Sequence, residues 1–155
     1  MSKKLYGCIA SVLMVFILIL ASITPAFADT STEKTDKWDG STIEISSEKD
    51  LKALAEHCHE DGWSRGKTVK LTADITLKDG DFTYIPYFNG TFLGGDHAIK
   101  NYEYEGNGFV VGFFRYIGPE GVVKNLDIYG TIVSNDDDEA VGGFCGVNGG
   151  VIAKC

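Results

Sequence analysis

Residues 142–155 read GGFCGVNGGVIAKC, and this glycine-rich stretch is the clearest sign of how the chain folds. Glycines bracket short apolar pairs there, and the same pattern occurs in two stretches upstream. A shift of 24 residues places residues 94–106 on residues 118–130, and a shift of 29 places residues 121–126 on residues 150–155. A repeat of about 20 to 30 residues with one short strand in each copy is typical of a solenoid. The sequence therefore predicts an all-β solenoid of stacked coils.

Glycine and asparagine hold most of the repeated positions. We predict structural roles in the repeats for nine of them: Gly94, Asn101, Gly118, Asn125, Gly142, Gly143, Gly146, Asn148 and Gly150. In the 24-residue alignment, Ile99 lies over Val123 in an inward apolar column, and Asn101 lies over Asn125. Stacked asparagines can hydrogen-bond from one coil to the next. The alignment therefore also predicts an asparagine ladder, which stops where the third copy has Lys154.

Residues 43–81 are predicted to form an N-terminal cap with the order strand, helix, strand. Residues 43–45 alternate apolar and polar side chains, as a strand does. Ser47 and Asp50 have the spacing of a capping box, which begins a helix, and Gly62 suits the left-handed position that ends one. One apolar stripe joins the residues between them: Leu51, Leu54, Ala55 and Cys58. We expect this amphipathic helix to cover the open end of the solenoid.

Residues 1–28 are predicted to be a signal peptide. Two lysines precede an apolar run from Ile9 to Leu20, and Pro25 and a small-residue pattern follow it, with cleavage expected between Ala28 and Asp29. The alternative is an uncleaved membrane anchor. The apolar run is shorter than the about 20 residues of a membrane span, which favours cleavage.

The chain after the signal segment is predicted to be one acidic domain. Residues 29–42 form a polar linker, and residues 82–155 form the coils and end within a repeat, which favours a fragment of a longer protein. The formal net charge is −8, and it becomes −10 without residues 1–28, which carry two lysines and no acidic residue. Such a surface repels nucleic acid and anionic membranes. We therefore expect no nucleic-acid partner, and membrane contact only through the signal segment.

Residues 142–155 resemble the GLUG repeat of bacterial secreted and cell-surface proteins, whose pattern is roughly GGL[VC]GxNxGxIxNC. Phe144 stands for the usual Leu and Lys154 for the usual Asn. The other pattern positions match in place: Gly142, Gly143, Cys145, Gly146, Asn148, Gly150, Ile152 and Cys155. Residues 88–101 are similar to the FxGTFDGxxHxIxN lead-in of the same proteins, with Leu93-Gly94 interrupting the usual Phe-Asp-Gly.

The resemblance covers roughly residues 43–155 and implies a right-handed parallel β-helix. It implies a non-catalytic extracellular module that presents an adhesion or binding surface, for an extracellular glycan or for a host or envelope protein. The alternative is the N-terminal part of a β-helical polysaccharide-degrading enzyme or exported peptidase with catalytic residues beyond Cys155. In both cases the expected location is secreted or at the cell surface, and the resemblance supplies no catalytic residues.

Two groups of carboxylates are candidates for chemistry. Glu103 and Asp127 share an outward column in the 24-residue alignment, about 5 Å apart, which suits a retaining glycosidase or a cation site, or simply a solvated pair. The densest negative charge is a loop of four residues: Asp136, Asp137, Asp138 and Glu139. Oxygen ligands of this kind suit Ca²⁺, although the EF-hand spacing is absent and charge runs are usually solvated. Calcium is the only cofactor that the sequence suggests.

Histidine and cysteine do not have metal-site spacing. His57 and His59 lie on roughly opposite sides of the predicted helix. Beyond the signal segment the chain has three cysteines, Cys58, Cys145 and Cys155, of which two can pair in an oxidising compartment. We favour the alternative, that they are small buried apolar residues.

Outward tyrosines offer a sugar-stacking face. Tyr129, Tyr84 and Tyr87 are the candidates, because aromatic rings pack against the apolar faces of other rings. Rim packing is the alternative role for the same side chains.

Overall fold

The computed structural model describes residues 37–60, 62–78, 82–106, 108–134 and 140–155, which contain one helix and eleven strands. In chain order, the elements are β1 (Thr42–Ile45), α1 (Glu48–His57), β2 (Thr68–Leu71), β3 (Ile75–Thr76), β4 (Ile85–Phe88), β5 (Thr91–Gly106), β6 (Val110–Val111), β7 (Phe114–Ile117), β8 (Val122–Ser134), β9 (Ala140–Val141), β10 (Cys145–Asn148) and β11 (Val151–Ala153).

Strands from successive coils pair in parallel. The largest sheet has the order β1-β2-β5-β8-β11, with β3 also beside β5. The second sheet has the order β10-β7-β4, and β6 pairs with β9. Because the chain returns to the same sheets coil after coil, it forms about three turns of a parallel β-helix. The predicted all-β solenoid, with its N-terminal strand and amphipathic helix, is confirmed.

One apolar column runs through the whole of the largest sheet. Its members are successive register partners on five strands: Ile43, Val69, Phe92, Val123 and Ile152. The first four are fully buried and Ile152 is partly buried. Each buried aliphatic or aromatic side chain of this kind stabilises the fold by about 1.5–3 kcal/mol, so the column is a main source of stability.

Aromatic rings fill the space between the two large sheets. The Phe92 ring meets the Phe88 and Phe114 rings edge-on, at centroid distances of 6.0 and 5.7 Å. Tyr102 is buried too, and its hydroxyl donates to the carbonyl oxygen of Thr83 at 2.6 Å. The polar end of this buried tyrosine is therefore satisfied, as burial of a hydroxyl requires.

The predicted pairing of Ile99 with Val123 is wrong. Phe92 pairs with Val123, and Ile99 pairs with Ile128. The 24-residue spacing does occur, but between an earlier pair of coils, where Ile75 pairs with Ile99. The 24-residue alignment therefore found a real coil length and assigned it to the wrong coils.

Extra residues in β5 explain the difference. The register between β5 and β8 shifts between Leu93 and His97, and again between Ile99 and Tyr102. The backbone turns at the first shift, where Asp96 has a φ of 61°. β5 thus contains more residues than β8 over the same distance, and the two strands keep no constant offset.

The three turn residues that the sequence alignment placed at the same repeat position all adopt the left-handed conformation. The predicted asparagine ladder between them is nevertheless wrong. Asn101, Asn125 and Lys154 have φ values of 60°, 53° and 57°. The register places Asn125 opposite residues 94–96 rather than beside Asn101. The Asn101 side-chain amide instead donates to the carbonyl oxygen of Leu77 at 3.1 Å.

The 29-residue alignment of the last two coils is confirmed. Val122 and Val123 pair with Val151 and Ile152. The turn before this last strand is closed by the Asn148 side chain, which accepts from the backbone N–H of Gly150 at 3.0 Å.

Most of the repeat glycines lie where neighbouring atoms leave no room for a Cβ. An added Cβ at Gly94 would lie 2.0 Å from the carbonyl oxygen of Asn125. The nearest atoms would lie at 2.1 Å at Gly142 and Gly150, where they are backbone oxygens, and at 2.4 to 2.5 Å at Gly118 and Gly146, where they are side-chain atoms. Gly143 differs, because a Cβ added there would meet no atom within 4 Å.

The helix begins as predicted, with one change of partner. The Ser47 hydroxyl accepts from the backbone N–H of Asp50 at 3.2 Å. The Asp50 carboxylate reaches back to the backbone N–H of Ser46 at 3.2 Å, rather than to that of Ser47. Both contacts stabilise the first turn, where backbone N–H groups have no helical partner.

The helix ends earlier than predicted. Its last residue is His57, its C-cap is Cys58, and Gly62, with a φ of 88°, turns the chain four residues farther on. Of the predicted stripe, Leu51, Leu54 and Cys58 are fully buried and Ala55 is partly buried. The helix contacts β4, the edge strand of the second sheet. Pro86 in that strand fits this position, because proline lacks an N–H and is tolerated at sheet edges.

Candidate functional site

A groove of about 650 Å³ lies between the second sheet and the segment that follows α1. Strands β4 and β7 supply one side, and the helix end and the turn after it supply the other. We name it the arginine groove, and its lining residues are Cys58, His59, Gly62, Arg65, Pro86, Tyr87, Asn89, Arg115 and Tyr116.

The strand side of the arginine groove is built by the pairing of β4 with β7. Tyr87 pairs with Tyr116, and both side chains are half-buried. The end residues of each strand, such as Ile85 and Phe114, are fully buried in the core. Burial of these end residues anchors the strands, so the middle residues are held on a rigid surface.

Arg115 is held against aromatic rings. Its guanidinium carbon lies 5.2 Å from the ring centroid of Tyr84 and 5.8 Å from that of Tyr116. One terminal nitrogen donates to the Tyr84 hydroxyl at 3.3 Å. Its Nε is buried and has no hydrogen-bond acceptor among the described residues. A guanidinium on an aromatic face is favourable, and this one retains unused donor capacity.

Hydrogen bonds fix the wall opposite the strands. The buried Ser64 hydroxyl accepts from the backbone N–H of Asn89 at 2.8 Å. The Asn89 side chain in turn accepts from the backbone N–H of Glu120 at 2.9 Å. Buried polar groups that are satisfied in this way make a segment rigid. The turn after the helix is therefore tied both to β4 and to the turn before β8.

A glycine at position 118 leaves room for the Asn89 side chain that makes these hydrogen bonds. An added Cβ at this position would lie 2.4 Å from the Asn89 amide oxygen and 2.4 Å from the Tyr87 hydroxyl. The repeat glycine predicted from sequence thus makes room for two residues of the arginine groove.

The arginine groove is locally cationic in an acidic protein. The chain has only two arginines, Arg65 and Arg115, and both line it. Arg65 pairs with Glu120 at 3.2 Å, and both side chains are largely exposed. Arg115 has no carboxylate partner in the described part of the chain. The groove therefore holds one arginine whose charge is not balanced by a described carboxylate, although the whole chain has a net charge of −8.

The predicted carboxylate pair does not exist. Glu103 pairs with Thr131, and Asp127 pairs with Ala98, so the two acidic residues lie at different heights of the sheet. The cause is the pair of register shifts between β5 and β8. Glu103 instead lines a second groove of about 440 Å³, together with Tyr104 and Glu105. The glycosidase hypothesis that rested on Glu103 and Asp127 is therefore wrong.

The three histidines are in separate environments. His57 stacks on Trp63, with ring centroids 4.6 Å apart, and lies 5.0 Å from the Trp38 ring. His59 lines the arginine groove, and His97 contacts the Asp74 carboxylate at 3.3 Å. Within the described ranges, no three His, Cys, Asp or Glu side chains are grouped as a metal site would need.

The three cysteines in the described residues, Cys58, Cys145 and Cys155, are free. Cys58 is fully buried, and burial raises the pKa of its thiol to about 12. Cys145 is half-buried, and burial also raises the pKa of its thiol. The interpretation as small buried residues is confirmed for Cys58, but Cys155 is exposed.

The predicted tyrosine face is divided between two sheets. Tyr87 lines the arginine groove, and Tyr84 packs on Arg115. Tyr129 is 57% exposed on β8, in the other sheet. Tyr116 and Arg115 were not among the sequence candidates. The rarity of arginine in the chain is the one sequence signal that could have indicated Arg115.

Several predicted sites lie outside the described residues. They are the cleavage residues Ala28 and Asp29, and the acidic loop of Asp136, Asp137, Asp138 and Glu139. Signal cleavage and calcium binding therefore stay predictions. In the part of the chain that the structure describes, no helix is long and apolar enough to cross a membrane.

Comparison with known proteins identifies no relative. No protein-family model matches the chain, and no curated protein and no solved structure matches it. The functional assignment therefore depends on the geometry of the chain itself.

Proposed function

We propose that the chain is a non-catalytic β-solenoid module of a secreted or cell-surface protein, of the GLUG-repeat kind, and that its arginine groove binds a glycan. The observation that carries this proposal is the pairing of Tyr87 with Tyr116 on the floor of the groove. Two neighbouring aromatic side chains on rigid strands provide a surface on which the apolar faces of sugar rings can pack.

The chemistry of the lining favours binding over catalysis. Glycoside hydrolysis by the usual mechanism needs two carboxyl groups about 5 to 9.5 Å apart, and the described lining of the arginine groove contains no Asp or Glu. Its one thiol, Cys58, has a pKa of about 12 because it is buried, so it is not a nucleophile at neutral pH. What the groove offers is the aromatic surface of two tyrosines and two arginines, side chains that are suited to recognition of a ligand.

Glycan binding is tested by calorimetry with the purified protein and a panel of oligosaccharides. Tyr116→Ala removes half of the aromatic floor and is expected to weaken binding by about tenfold or more. Tyr116→Phe keeps the ring and is expected to retain binding. Tyr129→Ala, which removes an exposed tyrosine from the other sheet, is the matched control. Equal affinities for the wild type and Tyr116→Ala would argue against this function.

The proposed location is tested separately. Expression in a bacterial host followed by N-terminal sequencing of the exported protein is expected to give Asp29 as the first residue, since Ala28 precedes the predicted cleavage site. Retention of the unprocessed protein inside the cells would contradict a secreted module.

A further inference from the structure

We propose that the arginine groove selects acidic glycans, whose sugar rings carry carboxylates, and that Arg115 is the principal residue that binds the carboxylate. This inference rests on the proposed glycan-binding function and names its substrate class. It follows from the distribution of the cationic side chains, from the state of Arg115, and from the aromatic surface beside it.

The arginine and lysine side chains are distributed differently in this protein. Lysines are spread along the chain, and none lines the described part of the arginine groove, whereas both arginines do. Guanidinium and ammonium differ in recognition, because the planar guanidinium donates two parallel hydrogen bonds to a carboxylate and stacks on aromatic rings. A groove that only needed positive charge would be served equally well by lysine.

Arg115 is preorganised to bind an anionic partner. Tyr84 and Tyr116 hold its guanidinium within 6 Å of their ring centroids, which limits its freedom before any ligand binds. Its single described hydrogen bond goes to the Tyr84 hydroxyl, and its Nε lacks an acceptor in the described chain. Because Nε itself is buried, a ligand carboxylate is expected to supply the missing negative charge and to accept hydrogen bonds from the terminal nitrogens of the guanidinium.

Arg65 has a secondary role. Its guanidinium already pairs with Glu120 at the exposed rim of the groove, so a ligand carboxylate competes there with a protein carboxylate. Exposed ion pairs of this kind are weak, and Arg65 can be recruited at little cost. Loss of Arg65 should therefore weaken binding less than loss of Arg115.

The neighbouring tyrosines distinguish a uronic acid from a simple anion. A uronic acid combines an apolar ring face and a carboxylate in one unit, and the groove places the aromatic ring of Tyr116 directly beside the Arg115 guanidinium. Inorganic phosphate or acetate would use only the guanidinium. The two parts of the site thus match the two parts of an acidic sugar.

The test compares two ligands with the same linkage. Calorimetry at about 0.15 M salt, where the Debye length is about 8 Å, measures binding of cellotetraose and of the β-1,4-linked glucuronic acid tetramer to the full chain. The acidic tetramer is expected to bind about tenfold or more tightly than the neutral one, because charge-assisted hydrogen bonds are stronger than neutral ones. Inorganic phosphate at the same concentration is expected not to displace it.

Three variants test which arginine causes the stronger binding of the acidic tetramer. Arg115→Gln should abolish the advantage of the acidic tetramer, and Arg115→Lys should recover only part of it, because lysine keeps the charge but not the planar donor pair. Arg65→Gln should reduce the advantage by a smaller factor. Lys124→Gln removes an exposed charge from β8 and is the matched control, expected to bind as the wild type does. Circular dichroism checks that each variant is folded.

The outcomes separate this inference from the function on which it rests. Equal binding of both tetramers by the wild type would overturn acid selectivity and leave glycan binding intact. An acidic advantage that Lys124→Gln loses as fully as Arg115→Gln would also overturn it, because net charge alone would then explain it. Binding of neither tetramer would overturn both the inference and the glycan-binding function.

Discussion

Tyr87 and Tyr116 are register partners on β4 and β7, although 29 residues separate them in the sequence. Their adjacency is a direct product of the solenoid, because each coil returns the chain to the same sheet one strand farther along. Burial of Ile85 and Phe114, which are themselves partners, fixes the two strands from inside. The groove floor therefore lies directly on the buried core.

The apolar column should dominate stability. Phe92→Ala removes the central member, which is fully buried between Val69 and Val123, and is expected to lower the free energy of unfolding by about 3–5 kcal/mol. Leu93→Ala, at the next position and only partly buried, is expected to cost about 1 kcal/mol. Urea denaturation measures both. Similar losses for the two variants would contradict the observed register of β5.

Two repeat glycines should respond differently to the same substitution. Gly94→Ala brings a Cβ against the Asn125 carbonyl and is expected to cost about 1–3 kcal/mol or more, since the backbone must move. Gly143→Ala meets open space and should change stability by no more than about 0.5 kcal/mol. Thermal melting of both variants provides the comparison. A tolerated Gly94→Ala would mean that β5 and β8 do not approach each other closely at this position.

Asp74 should make stability sensitive to acid. Lys100 donates to its carboxylate at 2.7 Å and the backbone N–H of Ala98 donates at 3.1 Å, which hold its pKa at about 2. The folded pKa lies below the unfolded value of about 3.9. The ionised Asp74 therefore makes its full contribution to the free energy of unfolding above about pH 4, and this contribution is lost as the pH falls toward 2.

Asp74→Asn should accordingly show a shallower loss of melting temperature between pH 4 and pH 2 than the wild type. The difference should be small, because the carboxylate is exposed and solvent screens it. Asp127→Asn, which removes an exposed carboxylate of the same sheet, is the control. Identical acid profiles for Asp74→Asn and the wild type would show that the contacts to Lys100 and Ala98 do not persist in solution.

Cysteine reactivity should distinguish buried from exposed positions. The thiolate is the reactive form, and burial raises the pKa of Cys58 to about 12. Iodoacetamide at pH 8 is expected to label Cys155 in the folded protein and Cys58 only after unfolding. Peptide mass spectrometry identifies the labelled sites. Fast labelling of Cys58 under native conditions would be incompatible with the packing of α1 on the core.

The sequence was sufficient for the class of fold and for the start and buried face of the helix, but not for its end. Glycine spacing predicted the stacked coils, and Ser47 with the stripe from Leu51 to Cys58 predicted the start and buried face of α1. The helix depends on residues close together in the chain, and the coils were recognised from glycines that recur at intervals of 24 and 29 residues. Both patterns can be read without knowledge of which strands pair.

The register and the groove could not be predicted in the same way. Two irregularities in β5 changed the partner of Val123 from Ile99 to Phe92, and local patterns do not show how many residues a bend absorbs. Arg115 and Tyr116 form a site with residues that follow α1 because β7 stacks on β4, a pairing that no local pattern shows. The false pairing of Glu103 with Asp127 had the same cause.

Glycan binding in the arginine groove can be observed at the guanidinium itself, by a nuclear magnetic resonance titration of the arginine Nε–H groups with the β-1,4-linked glucuronic acid tetramer. Two arginines give two such signals, and Arg115→Lys assigns them by removing one. We predict a saturable shift of the Arg115 signal that is larger than the shift of the Arg65 signal. An Arg115 signal that does not move at ligand concentrations that saturate binding would contradict a glycan site in the arginine groove.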